Sequence, residues 1–382
     1  MMELGKRLVA VRKIRFSKVE RALTVAGLGP AVLLGCAVHE HPELAAYLPA
    51  PNYGVLVPIP RAQAAPRPEV PPPAGLVNRL ADLAHDFDGV VGIAVTSVDR
   101  NWTASQGGAR KLPQQSVSKL WVAMTVLDQV DQGRIRLNDP LVITRADFTL
   151  FHQPVASLVK GDQGYQSTVG EILRRALTMS DNTCNDKLLR LVGGPPAVRS
   201  FIARNALGSI RFGPGEKLLQ LGTSGLPAWR PEYSMGNSFA VARAQLPRAT
   251  RVAAFQSYVA DPPDGAAPLA IAGALARLKR GELLSPVSTQ WLIATMQASH
   301  TGKYRLRGAL PPGWQLAHKT GTGQDLFGRT AGYNDVALLT APDGRSYALA
   351  VMIGDTPRPI NERQLLMQGV VRAIVAEHQL GA

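Results

Sequence analysis

The β-rich runs of this chain are confined to the two ends of its globular part. Residues 91–98 and 102–106 stand at hairpin spacing around Asp99-Arg100-Asn101. Three further runs, 314–319, 331–339 and 347–353, come only near the end, and Pro342-Asp343-Gly344 supplies a turn between the last two. The stretch between is patterned for helices: Leu120, Ala123, Met124 and Leu127 repeat at helical spacing within 118–132, and 169–177 and 186–192 repeat the pattern. A helix over 76–87 is expected before the first strand, and an amphipathic one over 361–379 after the last. Strands from both ends must therefore meet around a helical middle. The expected class is α/β of the α+β kind, an antiparallel five-stranded sheet flanked by helices plus an inserted all-helical lobe.

The 382 residues are 46% hydrophobic and 18% charged, enough to build one catalytic unit of about 300 residues. Net charge is +14, and the first 36 residues hold seven Lys/Arg against two Asp/Glu, so the basic excess extends to the rest of the chain. No Lys/Arg run is interleaved with aromatics, which argues against nucleic acid as a partner. An anionic envelope, an acidic substrate and plain solubility all remain readings of the charge.

Lys6, Arg7, Arg12, Lys13, Arg15, Lys18 and Arg21 precede the uncharged stretch 22–37, an export-signal pattern too short for a spanning helix. Residues 1–37 are read as that signal, and Leu33-Leu34-Gly35-Cys36 resembles a lipobox. Lipidation at Cys36, giving a periplasmic lipoprotein, and cleavage after Ala37, giving a soluble exported protein, are both left open. Residues 38–74 are rich in proline and read as an extended tether, and 75–382 as the catalytic domain. A lipid anchor would be the only membrane attachment. With Cys36 modified or removed, Cys184 is the remaining thiol and no intramolecular disulfide is expected. The one local His cluster, His39-Glu40-His41, lies in the tether, so no metal is expected.

Three motifs follow one another: Ser116-Val117-Ser118-Lys119, Ser180-Asp181-Asn182 and Lys319-Thr320-Gly321. Ser-x-x-Lys at a helix start puts both side chains on one face, where an amine of lowered pKa can take the serine proton. Ser157-Leu158-Val159-Lys160 fits the same pattern but has no Ser-Asp-Asn at matching distance and reads as surface. Ser-Asp-Asn is also a common helix N-cap. Lys-Thr-Gly, at the end of a strand, offers positive charge, a hydroxyl for a substrate carboxylate and a glycine that lets substrate approach the backbone.

Together and in this order, the trio resembles the serine β-lactamase and penicillin-binding family, specifically class A, from about Gly75 onward. The resemblance implies a β-lactamase/transpeptidase-like fold in two lobes, a β-lactam as small-molecule substrate, no cofactor and a monomer. It implies that Ser116 is the nucleophile, with Lys119 or Glu216, acting through water, as its base. Ser180 would relay a proton to the leaving nitrogen, Lys319 would supply charge, and Asn182 would bind the substrate's side-chain amide. Thr320 and Gly321 would line the carboxylate pocket, and the Thr322 N–H would join that of Ser116 as the oxyanion hole. Glu216, in Gly215-Glu216-Lys217-Leu218-Leu219-Gln220, stands 36 residues after Ser180, at the family's offset for the deacylating base. Arg305 matches a position where some relatives carry arginine for the substrate carboxylate, with Arg329 as alternative. Phe151 or His152 stands where relatives have an aromatic wall.

The chain departs from the family in three places. Gln220 and Asp186 replace asparagines, and Asp186 beside Glu216 would set two like charges together and shift deacylation. The segment 221–265 is about 30 residues longer than expected; it is read either as an extended surface loop or as a reshaped rim in which Glu232 is a rival base. Two further functions stay open: a D-alanyl-D-alanine carboxypeptidase or transpeptidase acting on peptidoglycan stem peptides, and a slowly deacylating β-lactam receptor.

Overall fold

A computed structural model describes residues 70–381. The export signal, Cys36, His39-Glu40-His41 and most of the tether lie outside the described residues. Five strands make the main sheet: β1 (Val90–Ser97), β2 (Thr103–Gln106), β3 (Gln315–Thr322), β4 (Tyr333–Thr340) and β5 (Ser346–Asp355). They pair antiparallel in the order β2-β1-β5-β4-β3, so the first and last parts of the domain interleave as the sequence pattern requires. Strand β3 ends the row. One of its edges is therefore unpaired within the sheet, which is where a substrate backbone can be met.

Eleven α-helices follow among the described residues: α1 (Ala74–His85), α2 (Lys119–Asp131), α3 (Val169–Thr178), α4 (Asn182–Leu191), α5 (Gly194–Arg204), α6 (Glu216–Ser224), α7 (Ser238–Gln245), α8 (Arg248–Ala260), α9 (Pro268–Lys279), α10 (Pro286–Gln297) and α11 (Ile360–Leu380). The two-residue repeat of the strands divides the core. Ile93, Val95, Ala337, Leu339, Leu349, Val351 and Ile353 face α1 and α11, meeting Leu80, Met367, Val370 and Ile374. Val336, Leu338, Ala348, Ala350 and Met352 face the other way. There Ile271, Ala274, Leu275 and Leu278 form the buried stripe of α9, at helical spacing.

Helix α2 is the hub of the helical lobe and is buried on almost every side from Lys119 to Leu127. Around it pack α3, α4, α5 and α10. Helix α3 presents Val169, Ile172, Leu173, Ala176 and Leu177 as one apolar face, and its first turn is capped by the Thr168 hydroxyl accepting from the Glu171 N–H at 3.3 Å.

The sequence expectations need three corrections. Strand β3 does not stop at Lys319 but runs through Gly321 to Thr322, because its pairing with β4 continues to Tyr333. Helix α4 starts at Asn182, not at 186, because the Asp181 carboxylate caps it by accepting the Cys184 N–H at 2.9 Å. The segment 221–265 is not an extended loop. It folds as α7 and α8, anchored by Phe239 and Tyr233 against Leu150 and Leu221, and by Phe255 and Tyr258 against Leu219 and Leu326.

Candidate active site

Ser116 lies in a single 3-10 turn, Gln115–Ser118, that runs directly into α2, with Lys119 as the first α-helical residue. Residues three apart eclipse in such a turn, and Lys119 Nζ donates to Ser116 Oγ at 2.6 Å. The same ammonium donates to Asn182 Oδ1 at 2.8 Å and to Glu216 Oε1 at 2.5 Å. An ammonium has three N–H donors, and all three are used. Both members of the Lys119–Glu216 pair are buried, so the charges hold each other in place.

Ser180 has a φ of 57°, the left-handed region, a strain that turns its hydroxyl to Lys319. Lys319 Nζ donates to Ser180 Oγ at 2.8 Å and to the Thr320 carbonyl at 3.1 Å. Burial, and then the positive charge of Lys119, push the Lys319 ammonium well below the usual lysine range. The Thr320 carbonyl thus lies on the Lys319 side of β3, and the two-residue repeat of the strand brings the Thr322 backbone to the same edge.

The Ser-Asp-Asn tripeptide divides its work. Asp181 is structural, accepting the Cys184 N–H and the Val155 N–H. The Asn182 carboxamide is engaged at both ends, with Oδ1 on Lys119 and Nδ2 on the Leu150 carbonyl at 2.8 Å. One amide hydrogen is left for a substrate, beside the role of holding Lys119.

Gly321 also has a reason other than the expected one. A Cβ at that position would run into the Gln114 carbonyl oxygen, so the glycine lets the nucleophile turn seat on β3. Asn334 fastens the same turn to β4, donating to the Pro113 and Gln114 carbonyls at 2.8 and 3.0 Å.

Arg305 is buried at the outer end of β3. Its guanidinium donates to the Gly321 carbonyl at 2.9 Å, the Asn334 carbonyl at 2.6 Å and Thr322 Oγ1 at 2.5 Å, and lies 3.8 Å from the Tyr333 ring centroid. It braces the Lys-Thr-Gly strand and brings positive charge there. The alternative, Arg329, is spent on Asp355 at 2.7 and 3.1 Å. The Thr320 hydroxyl meets Thr301 Oγ1 at 2.8 Å.

Glu216 opens α6, whose first N–H groups are capped by Asp186: Glu216 N donates to Oδ1 at 2.9 Å and Lys217 N to Oδ2 at 3.0 Å. The expected neighbourhood of the two carboxyls is present, but Asp186 turns its oxygens to the backbone. Burial, and then the Glu216 charge, raise its pKa. Glu216 Oε2 is buried with no hydrogen-bond partner among the described residues. Gln220, one turn on, is held by Gln115 and Gln324 at 2.9 Å each.

Glu232 is exposed on the 3-10 turn Pro231–Ser234 and, among the described residues, forms no hydrogen bond or ion pair with this site, so the rival base is set aside. Ser157 is exposed and donates to its own turn at Pro154, as a surface reading requires. Phe151 is exposed at the rim, edge-on to Phe239 of α7 at 5.2 Å, while His152 meets the site only through its carbonyl, which accepts the Asn182 N–H. Sequence reasoning missed Gln115, Tyr258, Asp264 and Gln324, whose links to the nucleophile turn and to Gln220 span about a hundred residues or more; Pro262-Pro263-Asp264-Gly265 reads locally as a turn.

A family model described as the β-lactamase enzyme family matches residues 75–378. The chain is 30% identical over 301 residues to the extended-spectrum β-lactamase PER-1 of Pseudomonas aeruginosa, covering 78% of this chain and 85% of that one. It is 27% identical over 272 residues to a β-lactamase of Citrobacter koseri, covering 71% and 77%. Among solved structures, a β-lactamase from Chitinophaga pinensis superposes with a TM-score of 0.66 at 27% identity, covering 79% of this chain and 99% of its own. An ancestral class A β-lactamase gives 0.61 at 28% identity, with coverage of 79% and 99%.

Proposed function

Because the chain belongs to the class A β-lactamase family, we propose that it is an exported serine hydrolase that opens the β-lactam ring through an acyl-enzyme on Ser116. The observation that carries this reading is the position of Lys119 Nζ, within 2.8 Å of Ser116 Oγ, Asn182 Oδ1 and Glu216 Oε1 at once.

In that arrangement Lys119 is a saturated ammonium and cannot accept the serine proton. Passing one proton across the 2.5 Å to Glu216 Oε1 leaves a neutral amine against Ser116 Oγ. Ser116 then attacks the lactam carbonyl while Lys119 takes its proton. The Ser116 and Thr322 N–H groups hold the oxyanion, donors of a kind worth roughly 3–4 kcal/mol of barrier each. Ser180, its Oγ held by the Lys319 ammonium, gives its proton to the leaving nitrogen and takes up in return the proton that Lys119 received from Ser116. Thr320 and the positive charge of Lys319 and Arg305 receive the substrate carboxylate.

For deacylation, Glu216 is ionised again, its proton returned to the Lys119 amine across the same contact. Oε2, the buried oxygen without a partner, is the atom placed to take a proton from water. Water attacks the ester, and Ser116 leaves with a proton returned by Lys119. Export rests on the N-terminal charge pattern, and the mass of the mature N-terminus decides between lipidated Cys36 and cleavage after Ala37. Steady turnover of nitrocefin that is lost in Ser116→Ala supports the proposal. D-alanine release from a stem peptide without nitrocefin turnover would move the function to a carboxypeptidase.

A further inference from the structure

Behind the nucleophile lies a buried polar chain that the cycle above does not use. Gln115, directly before Ser116, has a φ of 54°, a left-handed conformation that a residue with a side chain keeps only when its surroundings hold it. Its backbone N–H donates to Asp264 Oδ2 at 2.7 Å, and Gln114 Nε2 donates to the Asp264 carbonyl at 2.5 Å. Asp264 thus grips two consecutive residues of the nucleophile turn.

The hydrogen bonds that reach Asp264 run one way. Gln324 Nε2 donates to Gln220 Oε1 at 2.9 Å, Gln220 Nε2 to Gln115 Oε1 at 2.9 Å, and Gln115 Nε2 to the Tyr258 hydroxyl oxygen at 2.6 Å. The Tyr258 O–H is left to donate to Asp264 Oδ2, 3.2 Å away. Amides in a row can all point either way; here Asp264 Oδ2, together with the Ala331 carbonyl that also accepts from Gln115 Nε2 at 3.3 Å, selects one direction. Every member of the chain is buried.

We propose that Tyr258, which the lengthened segment 221–265 places between Gln115 and Asp264, is a positioning residue for the two half-reactions. Asp264 fixes the backbone at Gln115 and with it the aim of Ser116. Through Tyr258 and Gln115 it also fixes the Gln220 carboxamide, one turn from Glu216. The proposal rests on the reading of Ser116 as nucleophile.

The energetics favour this role over a purely structural one. Burial pushes the Asp264 acid up to about 7, the mark of a carboxyl held in a dry site where ionisation is unfavourable. No arginine or lysine pairs with it, and its Oδ1 has no partner among the described residues. Such a group lowers stability and is placed for geometry.

The test uses single-turnover acylation and deacylation rates of the full chain, with hydrogen exchange at the Gln115 amide. Tyr258→Phe keeps the ring in its apolar cluster and removes the link, so deacylation should fall about 10- to 100-fold and acylation less. Asp264→Ala should lower both rates and speed Gln115 exchange, and Asp264→Asn, which keeps an acceptor, should recover part of the loss. Phe255→Leu, on the same helix but outside the chain, should lower the melting temperature without changing either rate. Wild-type rates in Tyr258→Phe, or losses that only track melting temperature as in Phe255→Leu, would overturn the proposal. If Asp264→Ala does not fold, Tyr258→Phe decides. A wild-type protein that forms no acyl-enzyme would remove the nucleophile reading instead, while Gln115 exchange would still judge the Asp264 contact.

Discussion

The Asp186 carboxylate accepts the backbone N–H of Glu216 at 2.9 Å and thereby caps the helix that presents the proposed deacylating base. The replacement that reads in the sequence as a clash of like charges is also a helix cap, a placement that favours a negative charge. Burial nevertheless raises the Asp186 pKa, with the Glu216 charge second.

An acid whose pKa is raised in the fold contributes stability below its unfolded value and loses it as pH rises through the folded value. Asp186→Asn removes that loss. The melting temperature of the variant should therefore gain on wild type as pH is raised from the ordinary carboxyl range upward through the folded value. A constant difference across the series would contradict the assignment.

Lys119→Met removes the cation from a buried pair and leaves Glu216 without its counter-charge. Breaking such a pair costs about 3–5 kcal/mol, read by denaturant unfolding. Acylation should fall by about 10²- to 10⁴-fold in the same variant. Unchanged stability would mean that Lys119 and Glu216 are not paired.

Gly321→Ala places a methyl group where the Gln114 carbonyl oxygen sits. The nucleophile turn must back away from β3, at a cost of about 1–3 kcal/mol, and acylation should fall at least as much as deacylation. Wild-type acylation in this variant would show that the turn does not need that close seat.

Arg305→Lys keeps the charge but not the fork that reaches Gly321, Asn334 and Thr322. Losing charge-assisted bonds of about 1.5–3 kcal/mol should lower stability and reduce kcat/KM, mainly through KM. An effect on kcat alone would place Arg305 elsewhere in the cycle.

Much of this was legible in the chain itself. The sheet could be read because Val90–Ser97, Tyr333–Thr340 and Ser346–Asp355 are dense in residues that suit pleated surfaces. The last residues of β3 could not, because Thr320-Gly321-Thr322 carries no apolar side chain and owes its strand form to pairing with β4. Helices α7 and α8 escaped for a related reason: α7 buries only Phe239, and α8 only Phe255 and Tyr258, so neither shows a full apolar stripe. In the site, Ser116, Lys119, Ser180, Asn182 and Lys319 were legible through their three motifs and Glu216 through the offset that the family resemblance implies, and the structure sets these side chains near one another. Asp264 and Tyr258 were not, since nothing near them in the chain signals a partner more than a hundred residues away.

The central claim is that Glu216 empties an acyl-enzyme formed on Ser116, and intact mass followed beside product formation under excess benzylpenicillin tests it most directly. The wild-type protein should give product rapidly with little standing adduct, and Glu216→Gln should accumulate the adduct on Ser116. A wild-type adduct that persists with negligible product, or a Glu216→Gln variant that turns over as wild type does, would contradict the account.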